Sequence, residues 1–298
     1  MHEALSHGYV PLIAAVASFG VAYAVIFWLL RSGLMPMDRP NIRSLHVRVV
    51  PRGGGIGIVA GLGAAVSLVV EAPGSAVLLA VGLGLAVVSF ADDVVGLATR
   101  WRLLAHLLAA GGLLLFGLDR PVDLVHLLWL VPAVVWMTNL YNFMDGSDGL
   151  AGGMALFGFG ALGIAAWLAG DMGMAGIALA VAAGAGGFLL FNFPPARVFM
   201  GDVGSIPLGF MAAGLAVLGW QRELWSASFP LLVFSPFIVD ATVTLLRRLL
   251  TGEKIWLAHN KHYYQRLVRL GWGHRKTVLA EYALMAAARG SCVFRGMA

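Results

Sequence analysis

Apolar stretches of membrane-spanning length alternate with short polar segments along almost the whole chain. A bilayer core needs about 20 apolar residues per helix, within a range of roughly 17–25. On that measure the pattern predicts helices at 10–30, 55–71, 75–91, 102–118, 122–140, 150–170, 173–192, 203–220 and 228–246, with a shorter tenth at 277–290. The expected fold class is all-α: a polytopic membrane protein of about 9–10 transmembrane helices, a single integral membrane domain over residues 1–298. Several spans are rich in Gly and Ala, which allows close helix approach, although relaxed composition would give the same pattern.

Composition agrees. The chain is 60% hydrophobic and 12% charged, with mean hydropathy +0.86, whereas a soluble domain carries about 25% charged residues. The excess of 20 basic over 15 acidic residues does not point to nucleic acid, because the basic residues lie in loops between apolar spans. Sixteen of the 20 fall after predicted helices 1, 3, 5, 7 and 9, and only Arg120 and Arg222 after helices 2, 4, 6 and 8. The positive-inside rule then puts the odd-numbered loops in the cytoplasm and the N-terminus on the periplasmic side. Met1, His2 and Glu3 lack the basic start of a signal peptide, so the first stretch reads as a retained helix. The single Cys292 permits no internal disulfide and no thiolate metal cluster.

Five polar patches share that cytoplasmic face. Polar groups near lipid are costly and usually mark an ion, proton or substrate site. The first runs from Asp38 to Gly55 and holds His46, Arg39, Arg43, Arg48 and Arg52. Its cations suit lipid head groups or a phosphate, and the triplet Gly53-Gly54-Gly55 either brings backbone close to a ligand or starts the second helix. An ordinary juxtamembrane basic loop is the alternative. The second is the pair Asp92-Asp93. Adjacent carboxylates repel unless a cation or proton compensates, so the pair suits a divalent metal or proton transfer, against the alternative of a solvated helix end.

The third patch, Asn139-Leu-Tyr-Asn142-Phe-Met-Asp145-Gly-Ser-Asp148-Gly149, is the densest. If the helix continues, Asn139, Asn142 and Asp145 form one polar stripe, and Gly146 and Gly149 suit a sharp turn carrying Asp148. A capped terminus and turn would explain one such residue but hardly four. Oxygen-only donors favour Mg²⁺ or Mn²⁺ over Zn²⁺. In the fourth, Pro194 and Pro195 break a helix and Asp202 sits between Gly201 and Gly204. It reads equally as an acid favoured by the helix dipole and as a metal ligand. The fifth carries Arg247, Arg248, Lys254, His259, Lys261, His262, Arg266 and Arg269, then His274 to Lys276. That basic run suits a multi-phosphate ligand. A zinc site is not expected, since H-E-x-x-H is absent. Asp240, inside the ninth helix, either orients a catalytic loop or is a helix-end carboxylate paired with Arg.

Together these features describe an enzyme that joins a soluble, phosphorylated donor to a membrane-embedded acceptor. Over about residues 35–280 the chain resembles the polyprenyl-phosphate N-acetylhexosamine-1-phosphate transferases, which include the O-antigen initiators and the phospho-MurNAc-pentapeptide translocase. The resemblance is carried by Asp38-Arg-Pro-Asn, His46, Pro51-Arg-Gly-Gly-Gly, Asp92-Asp93, Asn139-x-x-Asn142-x-x-Asp145-Gly-x-Asp148-Gly-Leu-Ala, Pro195-Ala-x-Val-Phe-Met-Gly-Asp202-x-Gly-Ser205 and His259-x-x-His262. It implies transfer from a UDP-N-acetylhexosamine to undecaprenyl phosphate with release of UMP, in the inner membrane of a bacterium. It further implies Mg²⁺ (or Mn²⁺) on Asp202 and Asn142, and a catalytic set of Asp92, Asp93 and Asp202. His46, Arg52, Asn139, Asp145, Asp148, His259, His262 and Arg266 would bind substrate. The lipid bilayer is an expected partner, a second copy as a homodimer is a further candidate, and nucleic acid is not expected. Without the translocase's triple-His run, His262-Tyr-Tyr-Gln-Arg looks more like the O-antigen-initiating subgroup. The C-terminus is shorter and more polar than the family's last helix. A lipid-phosphate phosphatase lacks its usual Arg/His motifs here. An ion-coupled transporter would place its acids near the midplane in repeated halves, unlike these loop-boundary acids.

Overall fold

The structure, a computed structural model, describes residues 8–40, 45, 48–69, 73–254 and 259–293. His46, expected among the substrate contacts, lies outside the described residues. The helices in chain order are α1 (Val10–Ser32), α2 (Gly55–Val69), α3 (Pro73–Val95), α4 (Thr99–Phe116), α5 (Leu124–Phe143), α6 (Leu150–Leu168), α7 (Met172–Asn192), α8 (Asp202–Gln221), α9 (Ser228–Val233), α10 (Ser235–Leu250), α11 (Tyr263–Leu267) and α12 (Gly273–Val293). Strands β1 (Met37–Asp38) and β2 (Val50–Pro51) pair antiparallel between α1 and α2. Six helices, α1, α3, α5, α6, α7 and α8, are long and apolar enough to cross a membrane. This is a helical, multi-pass membrane protein.

The hydropathy pattern placed the spans closely but missed some ends. α3 extends to Val95, so Asp92 and Asp93 occupy its last turn instead of following it. The stretch expected as one helix at 228–246 is two, α9 and α10, divided at Phe234 with Pro236 in the first turn of α10. Proline fits a first turn, where its missing N–H has no helical partner to lose. The last helix begins earlier than the expected 277–290 and runs to Val293.

α8 is the axis of the molecule: almost all of it is buried, whereas α1 and α5 are largely exposed. α8 packs on α3 and α5, while α1, α2, α6 and α7 pack together beside it. Tyr141, Phe159, Phe188, Phe210 and Phe237 are fully buried among them. Lipid is as apolar as these side chains, so tight packing and not expulsion from water holds the helices together.

Candidate active site

The first four polar patches meet at the N-terminal end of α8. Gly201, with φ of +78°, turns the chain into the helix, and Asp202 is its first residue. The first N–H groups of a helix have no partner within it. Here Asp93 supplies one: its carboxylate accepts from the backbone N–H of Asp202 at 3.2 Å and of Val203 at 2.9 Å. Asp93 therefore ties the end of α3 to the start of α8.

Asp92 turns another way. It accepts from the Leu97 N–H at 2.6 Å and from Arg102 Nη1 at 3.2 Å. The expected repulsion within the pair is relieved by two different arginines. Arg52 Nη2 lies 2.9 Å from Asp93 Oδ1 and 2.5 Å from Asp202 Oδ1, and Arg102 Nη1 approaches Asp202 Oδ2 at 3.7 Å.

The glycine triplet serves backbone approach. The N–H groups of Gly53 and Gly54 donate to the Phe199 carbonyl, and that of Gly55 to the Met200 carbonyl. A Cβ on Gly55 would stand 2.4 Å from Gly204 Cα. Of the two expectations, the triplet starts the second helix, and its close neighbour is α8.

Asn142 and Asp145 complete the cluster. Asn142 Oδ1 accepts from Ser205 Oγ at 2.9 Å, one turn into α8. α5 ends at Phe143, so Asp145 lies past the helix and the continuous stripe does not form. Burial pushes the Asp145 carboxyl well above the usual carboxylate range; Arg52 opposes this, and Asp202 and Asp93 reinforce it. Asn139 turns instead to α4, with its amide nitrogen 3.1 Å from His106 Nδ1 and 2.7 Å from the Val135 carbonyl. Asp148 holds the Ala196 N–H at 3.0 Å and lies 3.7 Å from His274 Nδ1. Asn192 bridges the Gly149 N–H and the Val198 carbonyl, both at 2.8 Å. These contacts lock the third and fourth patches together.

The fifth patch is organised by Asp240. It accepts from the N–H groups of Tyr263 and Tyr264, both at 2.9 Å, and lies 3.2 Å from His262 Nδ1. Asp240 thus orients the loop, the first of its two expected roles. His262 is buried, its ring centroid 4.7 Å from that of His259. Burial, then His262 and Arg248, push the His259 imidazole down to about 4. Beside this pair opens a cleft of about 410 Å³, lined among others by Arg247, Lys261, Tyr263, Arg266 and Arg269. Arg102, His106, Asn192, Ser205 and His274 were not singled out as site residues from sequence. Ser205 stands inside a quoted motif and Asn192 two residues before the prolines that break its helix, whereas Arg102 and His106 lie in an apolar helix and carried no local signal.

Among the described residues, no three His, Cys, Asp or Glu side chains gather closely enough to enclose an ion alone. Mg²⁺ commonly takes one or two carboxylates and completes its shell with water and substrate phosphates. Asp202 with Asn142, one turn of α8 apart through Ser205, fits that pattern of hard oxygen donors.

Residues 75–220 match the family described as glycosyl transferase family 4. The chain is 31% identical, over 83% of its length and 74% of the relative's, to a probable undecaprenyl-phosphate N-acetylglucosaminyl 1-phosphate transferase of Bacillus subtilis (strain 168). It is 36% identical to the phospho-N-acetylmuramoyl-pentapeptide-transferase of Symbiobacterium thermophilum, covering 66% of this chain and 65% of that one. It is 31% identical to that of Desulforudis audaxviator, covering 96% and 100%. The chain belongs to glycosyl transferase family 4.

Proposed function

We propose that this protein transfers an N-acetylhexosamine 1-phosphate from a UDP-sugar to undecaprenyl phosphate, giving undecaprenyl-diphospho-sugar and UMP. The observation that carries this is the meeting of Asp202, Asp93, Arg52 and Asn142 at the head of α8, in a chain 31% identical to a protein named for such a transfer. The setting is the bacterial cytoplasmic membrane, with this end of α8 facing the cytoplasm and the product entering surface polysaccharide synthesis.

Asp202 and Asn142 are the side chains that would hold Mg²⁺ (or Mn²⁺). Bound there, the ion neutralises charge on the donor diphosphate and the departing UMP. An oxygen of the lipid phosphate attacks the sugar-bearing phosphorus as its bond to UMP breaks, and the pair leaves with the UMP oxygen. Direct attack needs no enzyme nucleophile once the reactants are held in line. Asp92, oriented by Arg102 and Leu97, would receive a proton from the acceptor phosphate or position it. Asp93 fixes Asp202 through the first N–H groups of α8. Asp145 shapes the wall beside Arg52, and Asn139 and Asp148 hold that wall through α4 and the Ala196 turn. His259, His262 and Arg266 would contact the donor phosphates or sugar from the loop oriented by Asp240, and His46 would be a further substrate contact.

The alternative substrate within the family is the phospho-MurNAc-pentapeptide nucleotide. The single His262 followed by Tyr263-Tyr264-Gln265, in place of a triple-His run, favours the simpler sugar. The test is UMP release by the purified full chain in detergent, with undecaprenyl phosphate, Mg²⁺ and a panel of UDP-N-acetylhexosamines and UDP-MurNAc-pentapeptide. UMP is expected with an N-acetylhexosamine donor, and only when lipid and metal are both present. Asp202→Asn should abolish most of it while leaving membrane insertion intact. No release from any donor by a folded, monodisperse sample would refute the proposal.

A further inference from the structure

Arg52 sits where an ion on Asp202 would have to compete. Its Nη2 is 2.5 Å from Asp202 Oδ1 and 2.9 Å from Asp93 Oδ1, so one nitrogen bridges two carboxylates contributed by different helices. We propose that Arg52 is the built-in counter-ion of the metal-ligand carboxylate, keeping divalent ions off Asp202 until the donor diphosphate draws the guanidinium away. The inference rests on the metal role given to Asp202 above.

The backbone and side chain of Arg52 are held very differently. Its N–H donates to the Pro36 carbonyl at 2.8 Å, and the residue bridges to Phe199 across the start of α8. The anchor is therefore fixed beside Asp202. The side chain is 36% exposed, and a guanidinium on that tether can swing without moving a helix.

Withdrawal of Arg52 takes the shared cation from Asp202 and Asp93 but few hydrogen bonds. Asp93 keeps both N–H donors from α8, so the helix start stays in place. Asp202 keeps Arg102 near Oδ2 at 3.7 Å, while Oδ1, the oxygen that Arg52 held, becomes free. A Mg²⁺–oxygen bond is about 2.0–2.1 Å, and a guanidinium in hydrogen-bond contact with that oxygen occupies one of its lone pairs and repels an approaching cation. A diphosphate offers the guanidinium planar, bidentate acceptors that replace the carboxylates it gives up.

The consequence is ordered binding. Metal alone meets a carboxylate already neutralised, whereas metal arriving with a nucleotide diphosphate meets a vacated one. Coupling of this kind is reciprocal, so donor should tighten metal and metal should tighten donor by the same factor.

The test measures Mn²⁺ affinity by electron paramagnetic resonance of the free ion, on the full chain in detergent, with and without a UDP-N-acetylhexosamine and with no lipid acceptor. Wild type should bind Mn²⁺ weakly alone and at least tenfold more tightly with donor. Arg52→Gln should bind Mn²⁺ at least tenfold more tightly than wild type without donor, and gain little from it. Arg52→Lys, which keeps the positive charge but not the bidentate fork, should bind Mn²⁺ as weakly as wild type without donor and gain less from donor. Arg52→Gln binding no more tightly than wild type would overturn the inference. So would a wild-type affinity indifferent to donor, and that arm stands even if the glutamine variant fails to fold. If Asp202→Asn binds Mn²⁺ as wild type does under both conditions, the metal assignment falls as well. Donor-tightened binding that depends on Asp202 but not on Arg52 overturns the counter-ion role alone.

Discussion

Asp92 and Asp93 are neighbours in sequence, yet each answers to its own arginine and its own backbone donors. The chain announces such carboxylates, because acids beside lipid are costly and stand out against apolar surroundings. It does not announce their partners: Arg102 counts toward topology in the sequence and neutralises a site carboxylate in the fold. Asp145 shows what the crowding costs. Burial raises its carboxyl well above the ordinary value, with Asp202 and Asp93 adding to the effect against Arg52. A carboxyl raised on folding binds more protons in the folded state than in the unfolded one, whose value is about 3.9. Its contribution is therefore favourable at low pH and is lost as pH climbs above that value. Asp145→Asn removes the loss. In detergent the variant should melt a few degrees above wild type at pH 7–8, with the difference closing toward pH 4, and donor turnover should fall. Parallel melting curves across that pH range would show that Asp145 carries no such penalty.

At the scale of elements, glycine decides how close α2 comes to α8. Small residues let helices in a membrane approach until backbones touch, and Gly55 against Gly204 is that contact at the Asp202 end of α8. The triplet was conspicuous in sequence, but its partner lies about 150 residues away and no local pattern names it. A methyl group at Gly55 must push α2 and α8 apart, and overpacking of this kind costs about 1–3 kcal/mol. It also moves Arg52 relative to Asp202. Gly55→Ala should lower the melting temperature and cut turnover at least tenfold. Gly84→Ala, in α3 with nothing within 4 Å of its added carbon, should match wild type in both. Equal behaviour of the two variants would remove the close approach from the account of the site. Asp240 carries the same lesson: an acid in an apolar helix is visible in sequence, whereas its grip on the Tyr263 and Tyr264 N–H groups appears only once α10 and α11 meet.

For the whole molecule, spans were legible because lipid imposes a length and an apolarity that few other environments demand. Helix ends were less so: the extra turn that places Asp92 and Asp93 inside α3, and the break between α9 and α10, are set by packing and by Pro236. Orientation is a separate question, which the charge pattern addresses. Sixteen basic residues fall on the side of the candidate site, against Arg120 and Arg222 on the other. Those two are tied up: Arg222 pairs with Asp119 and Asp171, and Arg120 with Glu223. Arg289 and Arg295 of the C-terminal tail make up the 20; most of the unbalanced positive charge therefore lies on the face of Asp202, and this is the face the positive-inside rule assigns to the cytoplasm. Cysteines introduced singly into a Cys292→Ser background can test it. Arg120→Cys removes only an exposed ion pair, worth about 0–1 kcal/mol, and Arg269→Cys removes one of many cations, so neither change reverses the asymmetry. A membrane-impermeant maleimide should label position 120 but not 269 in right-side-out vesicles, and 269 but not 120 in inverted ones. The reverse pattern would put the site outside, away from any cytoplasmic supply of nucleotide sugar, and would sink the proposed reaction together with the topology.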